Sequence, residues 1–379
     1  MINEKRLLNT FLQLVKIDSE SFHEGKLHKF VVSELKKRGC QVYVDKAGKK
    51  IGSDAPGNII ATIKGTRPGK TFLLAAHLDT VQPGNGVKPI VKKDRVTSDG
   101  KTVLGGDDKS GVAIMLEIAQ ILKETKIAHP EVQLIFTLNE EHGMYGSKNM
   151  DYSKIKGKEG LTLDNEDIDE LLIQAPEVYD FFVTITGVAA HAGVCPEKGI
   201  SALEVAADAI SRMKLGRIDA QTVCNFGVVH GGLVTNAVMP KLELQGEARS
   251  LDPKKVQKQV KHMKDCFAQA AKKFTKKVDG KIIRPVITIN TPLRYGALNV
   301  SAKAPSVKLV CDTAKKQGIK LRACGSGGGF DGSVMSQHGL SMPNLGLGVQ
   351  KCHTTEEYLI LKDFYKAAAI ILEVLLNYK

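Results

Sequence analysis

The chain has 379 residues, 42% hydrophobic and 25% charged, with 54 Lys and Arg against 41 Asp and Glu for a formal charge of +13. That length exceeds one ordinary core, so two domains are expected, and no run approaches the ~18 consecutive apolar residues of a membrane span. Aromatic content is 5% with no tryptophan, which supplies poor stacking platforms for single-stranded nucleic acid.

Met1 to Arg6 run straight into an amphipathic pattern without the regions of a signal peptide, so the cytoplasm is the expected compartment. The cysteines, seven in number, are scattered and form no Cys-x-x-Cys pair, which argues for reduced thiols and against a thiolate zinc site. Helical spacing covers Leu7 to Val15 and Leu27 to Arg38. Strands are predicted at Gln41 to Val44, Asn58 to Ile63 and Phe72 to Ala76, the last an unbroken apolar run that suits a strand covered on both faces. It ends at His77-Leu78-Asp79, and alternation along extended backbone points His77 and Asp79 the same way. A carboxylate so placed can accept the second ring N–H of a ligand histidine and fix its tautomer.

Gly105-Gly106-Asp107-Asp108-Lys109-Ser110-Gly111 comes next, ahead of an apolar helical run from Val112 to Leu122. Glycines on one side of Asp107 let its carboxylate approach a cation closely, and Asp107 is read as a bridge between two metal ions. The strand Val132 to Leu138 delivers Asn139-Glu140-Glu141, where one glutamate can bind a cation while its neighbour faces a water. Gly160 to Leu163 leads into Asp164. Polar residues at strand C-terminal ends, with helices between, describe an open α/β sheet whose site lies along that edge.

From Val178 the order changes to strand, helix, strand, strand, helix, strand: Val178 to Thr186, Ser201 to Met213, Cys224 to Val229, Leu242 to Ala248, Asp252 to Val278 and Val286 to Ile289. This is a ferredoxin-like α+β pattern inserted in the first domain. Within it the densest lysine run, Lys254 to Lys277, carries Val256, Val260, Met263, Phe267, Ala271 and Phe274 at helical spacing. One buried stripe with a solvated lysine face explains the run without a polyanion. Thr291-Pro292 marks the return, followed by a helix from Ser306 to Gln317, the glycine-rich Gly325 to Gly332, a strand from Leu345 to Val349 and then His353. Imidazole and carboxylate donors with no thiolate favour a catalytic two-metal site of zinc, with cobalt or manganese as alternatives.

The motifs His77-Leu78-Asp79, Gly106-Asp107-Asp108-Lys109, Asn139-Glu140-Glu141-His142-Gly143, Leu163-Asp164 and Cys352-His353 resemble the ordered motifs of the two-zinc peptidase family that contains peptidase T, carboxypeptidase G and the aminoacylases. Asp107-Asp108-Lys109 and Gly328-Gly329-Phe330-Asp331-Gly332 look most like its aminotripeptidase branch. The resemblance implies a catalytic domain of residues 1–177 joined to 293–379, with a mixed central sheet flanked by helices, and a lid and dimerisation domain of 178–292. It implies that His77, Asp107 and Asp164 hold one metal and Asp107, Glu141 and His353 the other, that Asp79 orients His77 and that Glu140 is the general base. It also implies a cis peptide at Asp107-Asp108, an oxyanion role for His191 reached from a neighbouring subunit, and substrate contacts from Asn236, Arg249, Gly328 and Gly329. An arginine precedes the paired glycines in the aminotripeptidases, whereas Gly327 stands here, so strict tripeptide specificity does not carry over. The expected activity is hydrolysis of small peptides from one end. The rival among enzymes is an N-acyl amino acid deacylase, and outside enzymes a basic binding module; neither nucleic acid nor membrane is expected as a partner, and a homodimer through the lid is.

Overall fold

Phe72-Leu73-Leu74-Ala75-Ala76 carries no polar side chain, and the strand it forms, Phe72–His77, is buried at every residue. In the computed structural model, which describes residues 1–379, this strand runs parallel to Val132–Thr137 on one side and Glu159–Asn165 on the other. These lie inside a nine-stranded sheet whose order is Gln41–Val44, Ile59–Ile63, Val132–Thr137, Phe72–His77, Glu159–Asn165, Asn344–Gly346, Glu170–Ala175, Leu298–Asn299, with Arg322–Gly325 also pairing with Glu170–Ala175. Parallel pairs fill the centre and antiparallel pairs the flanks, apart from Arg322–Gly325, which runs parallel to Glu170–Ala175, so the fold is α/β with a mixed sheet, as the alternation of elements predicts.

The helix Gly106–Glu124 packs on Phe72–His77 and against the helix Glu4–Val15. Its residues from Val112 to Ala119 are all buried, Glu117 among them. A lone charge there would be costly; Arg6 answers it with a two-pronged contact, Nε to Oε2 at 2.6 Å and Nη2 to Oε1 at 2.8 Å.

Residues 1–175 and 298–379 form one compact unit and residues 176–297 a second. The second boundary falls later than the expected 292/293 because Leu293–Tyr295 pairs with Glu177–Thr186; the first falls two residues earlier than 177/178. The second unit has an antiparallel sheet ordered Thr222–Gly231, Lys241–Ser250, Glu177–Thr186, Val286–Asn290, with Gly216–Arg217 beyond its first member. Counted along the chain that is second, third, first, fourth, the ferredoxin-like order. Helices Ala202–Ser211 and Pro253–Lys273 pack on this sheet. They begin at Ser201 and Asp252, whose side chains accept the N–H groups of Glu204 and Lys254. The lysine-rich helix buries Val256, Val260, Met263 and Phe267, but it ends at Lys273 and not at Val278. Lys276–Val278 is instead a strand paired with Lys281–Ile283.

Two further segments depart from the sequence pattern. The run Leu345 to Val349 is two strands: Asn344–Gly346 enters the central sheet, while Val349–Gln350 pairs with Tyr358–Ile360 in a separate four-stranded sheet. Gly348, at φ 86°, makes the turn between them. The helix Leu361–Asn377, unassigned in the sequence pattern, buries Phe364, Ala367, Ala368 and Ile371. No helix of the protein is long and apolar enough to cross a membrane.

Candidate metal centre

Three neighbouring parallel strands deliver their C-terminal ends to one edge: His77 closes the first, Asn139-Glu140-Glu141 follow the second, and Asp164 lies near the end of the third. Asp107 meets them from the start of the helix Gly106–Glu124, where Asp107 and Asp108 have non-helical backbone and the peptide bond between them is cis. His353 arrives on the turn after Val349–Gln350, with φ 64°.

The two oxygens of Asp107 face different partners. Oδ1 lies 3.0 Å from His77 Nε2, which is itself 3.5 Å from Asp164 Oδ1. Oδ2 lies 3.2 Å from His353 Nε2, which is 3.0 Å from Glu141 Oε1. Two sets of one imidazole, one terminal carboxylate and one shared carboxylate result. The expected ligand residues are thus brought together around Asp107.

Asp108 also comes within metal-ligand reach of His77 and Asp164, yet its carboxylate is engaged elsewhere. Oδ2 accepts the His77 N–H at 3.2 Å and Oδ1 the Gly111 N–H at 3.1 Å. It braces the main chain of His77 from behind. Asp79 does the same for two more: its carboxylate accepts the N–H groups of Glu140 at 2.9 Å and Glu141 at 3.2 Å, and the hydroxyl of Ser21 at 2.7 Å. His77 Nδ1 meets the Asp79 main-chain carbonyl at 2.9 Å and its carboxylate only at 3.4 Å. Fixing of the His77 ring therefore falls mainly to that carbonyl, because the strand ends at His77 and alternation no longer governs Asp79.

Six carboxylates, from Asp107, Asp108, Glu140, Glu141, Asp164 and Glu166, line a cleft of about 320 Å³ to which no lysine or arginine contributes. Burial, with the charge of Asp107, pushes the Asp164 carboxyl up to about 8. Burial, with the charge of Asp164, pushes Glu140 and Asp108 well above the carboxylate range, and burial also raises Glu141. Burial opposes the ionisation of Asp107 too, but His353 and His77 beside it hold its carboxyl far below the usual range. Asp107 and Glu141 raise His353 to about 10. So much negative charge in a buried cleft calls for cations. Nitrogen and oxygen donors in two sets that share one carboxylate fit a pair of divalent ions of the zinc type. Ser110 Oγ and Asn165 Nδ2, both lining the cleft, are buried without a protein partner, which leaves polar groups for a ligand. Gly328, Gly329 and Ser326 complete the wall.

Three supporting residues carry no signal in the sequence. Asn344 grips Asp164 by its main chain, donating to the carbonyl at 2.7 Å and accepting the N–H at 2.8 Å. Glu357 accepts the N–H of Gly105 at 2.8 Å and of Asp107 at 3.0 Å. Glu24 accepts the Asn139 main-chain N–H at 3.0 Å and its amide at 2.7 Å, and the Ser53 hydroxyl at 2.6 Å. Each is a polar residue outside the motifs, and only the folded chain turns it onto the main chain of a site residue.

Burial pushes the Glu24 carboxyl up from about 4.5 to about 7. A carboxyl raised by folding binds its proton more tightly in the folded state, so its stabilisation is complete below about pH 4.5 and is lost as pH rises through about 7. Glu24→Gln, which keeps the neutral shape, is expected to match the parent within ~1 kcal/mol near that lower pH and to exceed it by ~3 kcal/mol near pH ~8. Urea unfolding at both pH values checks this, and a difference that does not widen with pH refutes it.

The remaining expected residues lie in the second unit. His191 is exposed on a turn and bridges to Ala237, and Ala192 N–H donates to the Asn236 carbonyl at 2.9 Å, so His191 and Asn236 adjoin. Arg249, on the strand Lys241–Ser250, pairs with Glu247, which Arg294 also contacts at 3.1 Å.

Over residues 73–377 the chain matches the family described as Peptidase family M20/M25/M40. It is 38% identical over 376 residues to the uncharacterised protein YqjE of Bacillus subtilis (strain 168), covering 99% of both chains. Among solved structures, it superposes on an aminopeptidase PepT from Bacillus cereus ATCC 10987 with TM-score 0.93 and 36% identity, covering 99% of this chain and 98% of that one. A tripeptidase from Staphylococcus aureus subsp. aureus Mu50 gives TM-score 0.91 and 37% identity over the same shares.

Proposed function

Because the chain belongs to peptidase family M20/M25/M40 and is a metallopeptidase, we propose that it is a two-metal exopeptidase removing residues from the amino end of small peptides, tripeptides among them. The observation that carries this reading is Asp107, with one oxygen turned to His77 and Asp164 and the other to His353 and Glu141. His77, Asp107 and Asp164 would hold one ion, and Asp107, Glu141 and His353 the other, with zinc the proposed metal. Two such ions, when bound, polarise a scissile carbonyl and bring the pKa of a water from ~16 toward ~7.

The chain's own residues do the rest. Glu140, on the cleft wall beside Glu141, takes the proton of the attacking water and passes it to the leaving nitrogen, while Asp79 holds the main chain of both glutamates. Gly328 and Gly329 leave room for substrate backbone along the wall. Asn236 and Arg249 are assigned to the substrate's far end and His191 to the oxyanion, contributed across a homodimer of the inserted lid. All seven cysteines are free, in keeping with a reducing cytoplasm.

The test is a panel of di-, tri- and N-acylated peptides assayed with the zinc-loaded protein, before and after chelation. Free-amino tripeptides are expected to turn over fastest, and activity is expected to vanish on chelation and return with zinc. Turnover confined to N-acyl amino acids makes the protein a deacylase, and turnover indifferent to chelation overturns the two-metal reading.

A further inference from the structure

The two sets of donors are held by unlike parts of the fold. His77 and Asp164 belong to central strands, and Asn344 clamps the main chain of Asp164 from both sides. His353 has no such support. It sits half exposed on a turn between two short strands, Val349–Gln350 and Tyr358–Ile360. Glu166 holds that turn from outside, its Oε1 accepting the Cys352 N–H at 3.1 Å, and from within it is held by Glu357, four residues beyond His353 and 2% exposed. Each of its oxygens accepts one main-chain N–H from the opposite loop, Oε2 from Gly105 at 2.8 Å and Oε1 from Asp107 at 3.0 Å.

The approach leaves little room for a side chain on the facing side. Gly105 lies at φ 73°, and a Cβ on Gly106 would come within 3.0 Å of Glu357 Oε1 and 3.0 Å of Val349 Cγ1. A carboxylate that takes two N–H groups at once can be replaced neither by an amide, whose NH2 would face a donor, nor by a shorter acid without shifting one loop.

We infer that Glu357 is a positioning residue for one metal position and not the other: by tying the Asp107 main chain to the turn that carries His353, it sets the affinity of the position formed by Asp107, Glu141 and His353. This rests on the two-ion reading above. The position formed by His77, Asp107 and Asp164 keeps two donors on strands that Glu357 does not touch.

The experiment is titration of the chelator-stripped, full-length protein with zinc alone, read by calorimetry against a competing chelator. The parent is expected to take up two equivalents. Glu357→Gln is expected to bind the first within ~3-fold of the parent and the second ~10–100-fold more weakly, the usual cost of losing a group behind a ligand. Gly106→Ala, which presses on the same clamp, is expected to weaken the second equivalent as well and guards against misfolding of the first variant. Ile371→Val, buried in the helix Leu361–Asn377, lowers the melting midpoint and is expected to leave the ratio of the two affinities unchanged. Equal weakening of both equivalents, no weakening, or a changed ratio in Ile371→Val overturns the inference. A parent that binds a single equivalent sinks the two-ion reading itself.

Discussion

Glu140→Gln is expected to retain the full metal content and thermal stability of the parent while kcat falls by about 10²–10⁴-fold, the usual worth of a positioned proton-transfer group. The substitution keeps shape and hydrogen-bonding reach but removes the capacity to accept a proton. Neither donor set includes the Glu140 carboxylate, so metal content has no reason to change. The main chain at Glu140 is fixed by Asp79 through an N–H contact of 2.9 Å that the variant keeps. Turnover and elemental analysis on one preparation decide the matter. Near-parental turnover removes Glu140 from proton transfer, and lost metal makes it a ligand.

Asp107→Ala is expected to abolish binding of both ions together, a larger effect than any other single ligand change. Each Asp107 oxygen serves a different imidazole, at 3.0 Å and 3.2 Å, whereas Asp164 and Glu141 each serve one. The loss in affinity at both positions should exceed the ~100-fold typical of changes behind a ligand, and turnover should fall with it. His353→Ala supplies the comparison, since it strips one position only. Metal content after gel filtration in metal-free buffer is expected to go from two to none in the first variant and from two to one in the second. A single ion retained by Asp107→Ala would show that the carboxylate serves one position.

The parts of the fold that the sequence announces are those where one local rule prevails. Phe72 to Ala76 is apolar without interruption, and Val132 to Thr137 is apolar apart from Gln133 and the closing Thr137, because the strands they form are buried at every residue, and polar residues directly after them mark the sheet edge. His77, Glu140, Glu141 and Asp164 are legible for that reason, each near the end of a strand, and Asp107 is legible from the glycines beside it. The run from Leu345 to Val349 was not, because its composition suits one strand and the break depends on Gly348 adopting φ 86°. Glu357 and Glu24 were missed for a related cause: an acidic residue outside a motif is ordinarily solvated, and only the tertiary fold turns these two inward onto main-chain N–H groups. The end of the lysine-rich helix was overshot because Val278 continues an apolar spacing that in fact belongs to the strand Lys276–Val278.

The strands Glu159–Asn165 and Glu170–Ala175 follow one another in the chain, yet in the sheet they flank Asn344–Gly346. During synthesis the middle seat of that sheet stays vacant until about 170 more residues, the whole second unit included, have left the ribosome; at the ~5–20 residues per second of translation that takes roughly ten to thirty seconds. The late strand then has to slot between two others, and only afterwards can the turn bearing His353 reach its place. A chain still short of that turn holds only part of the two donor sets that surround Asp107.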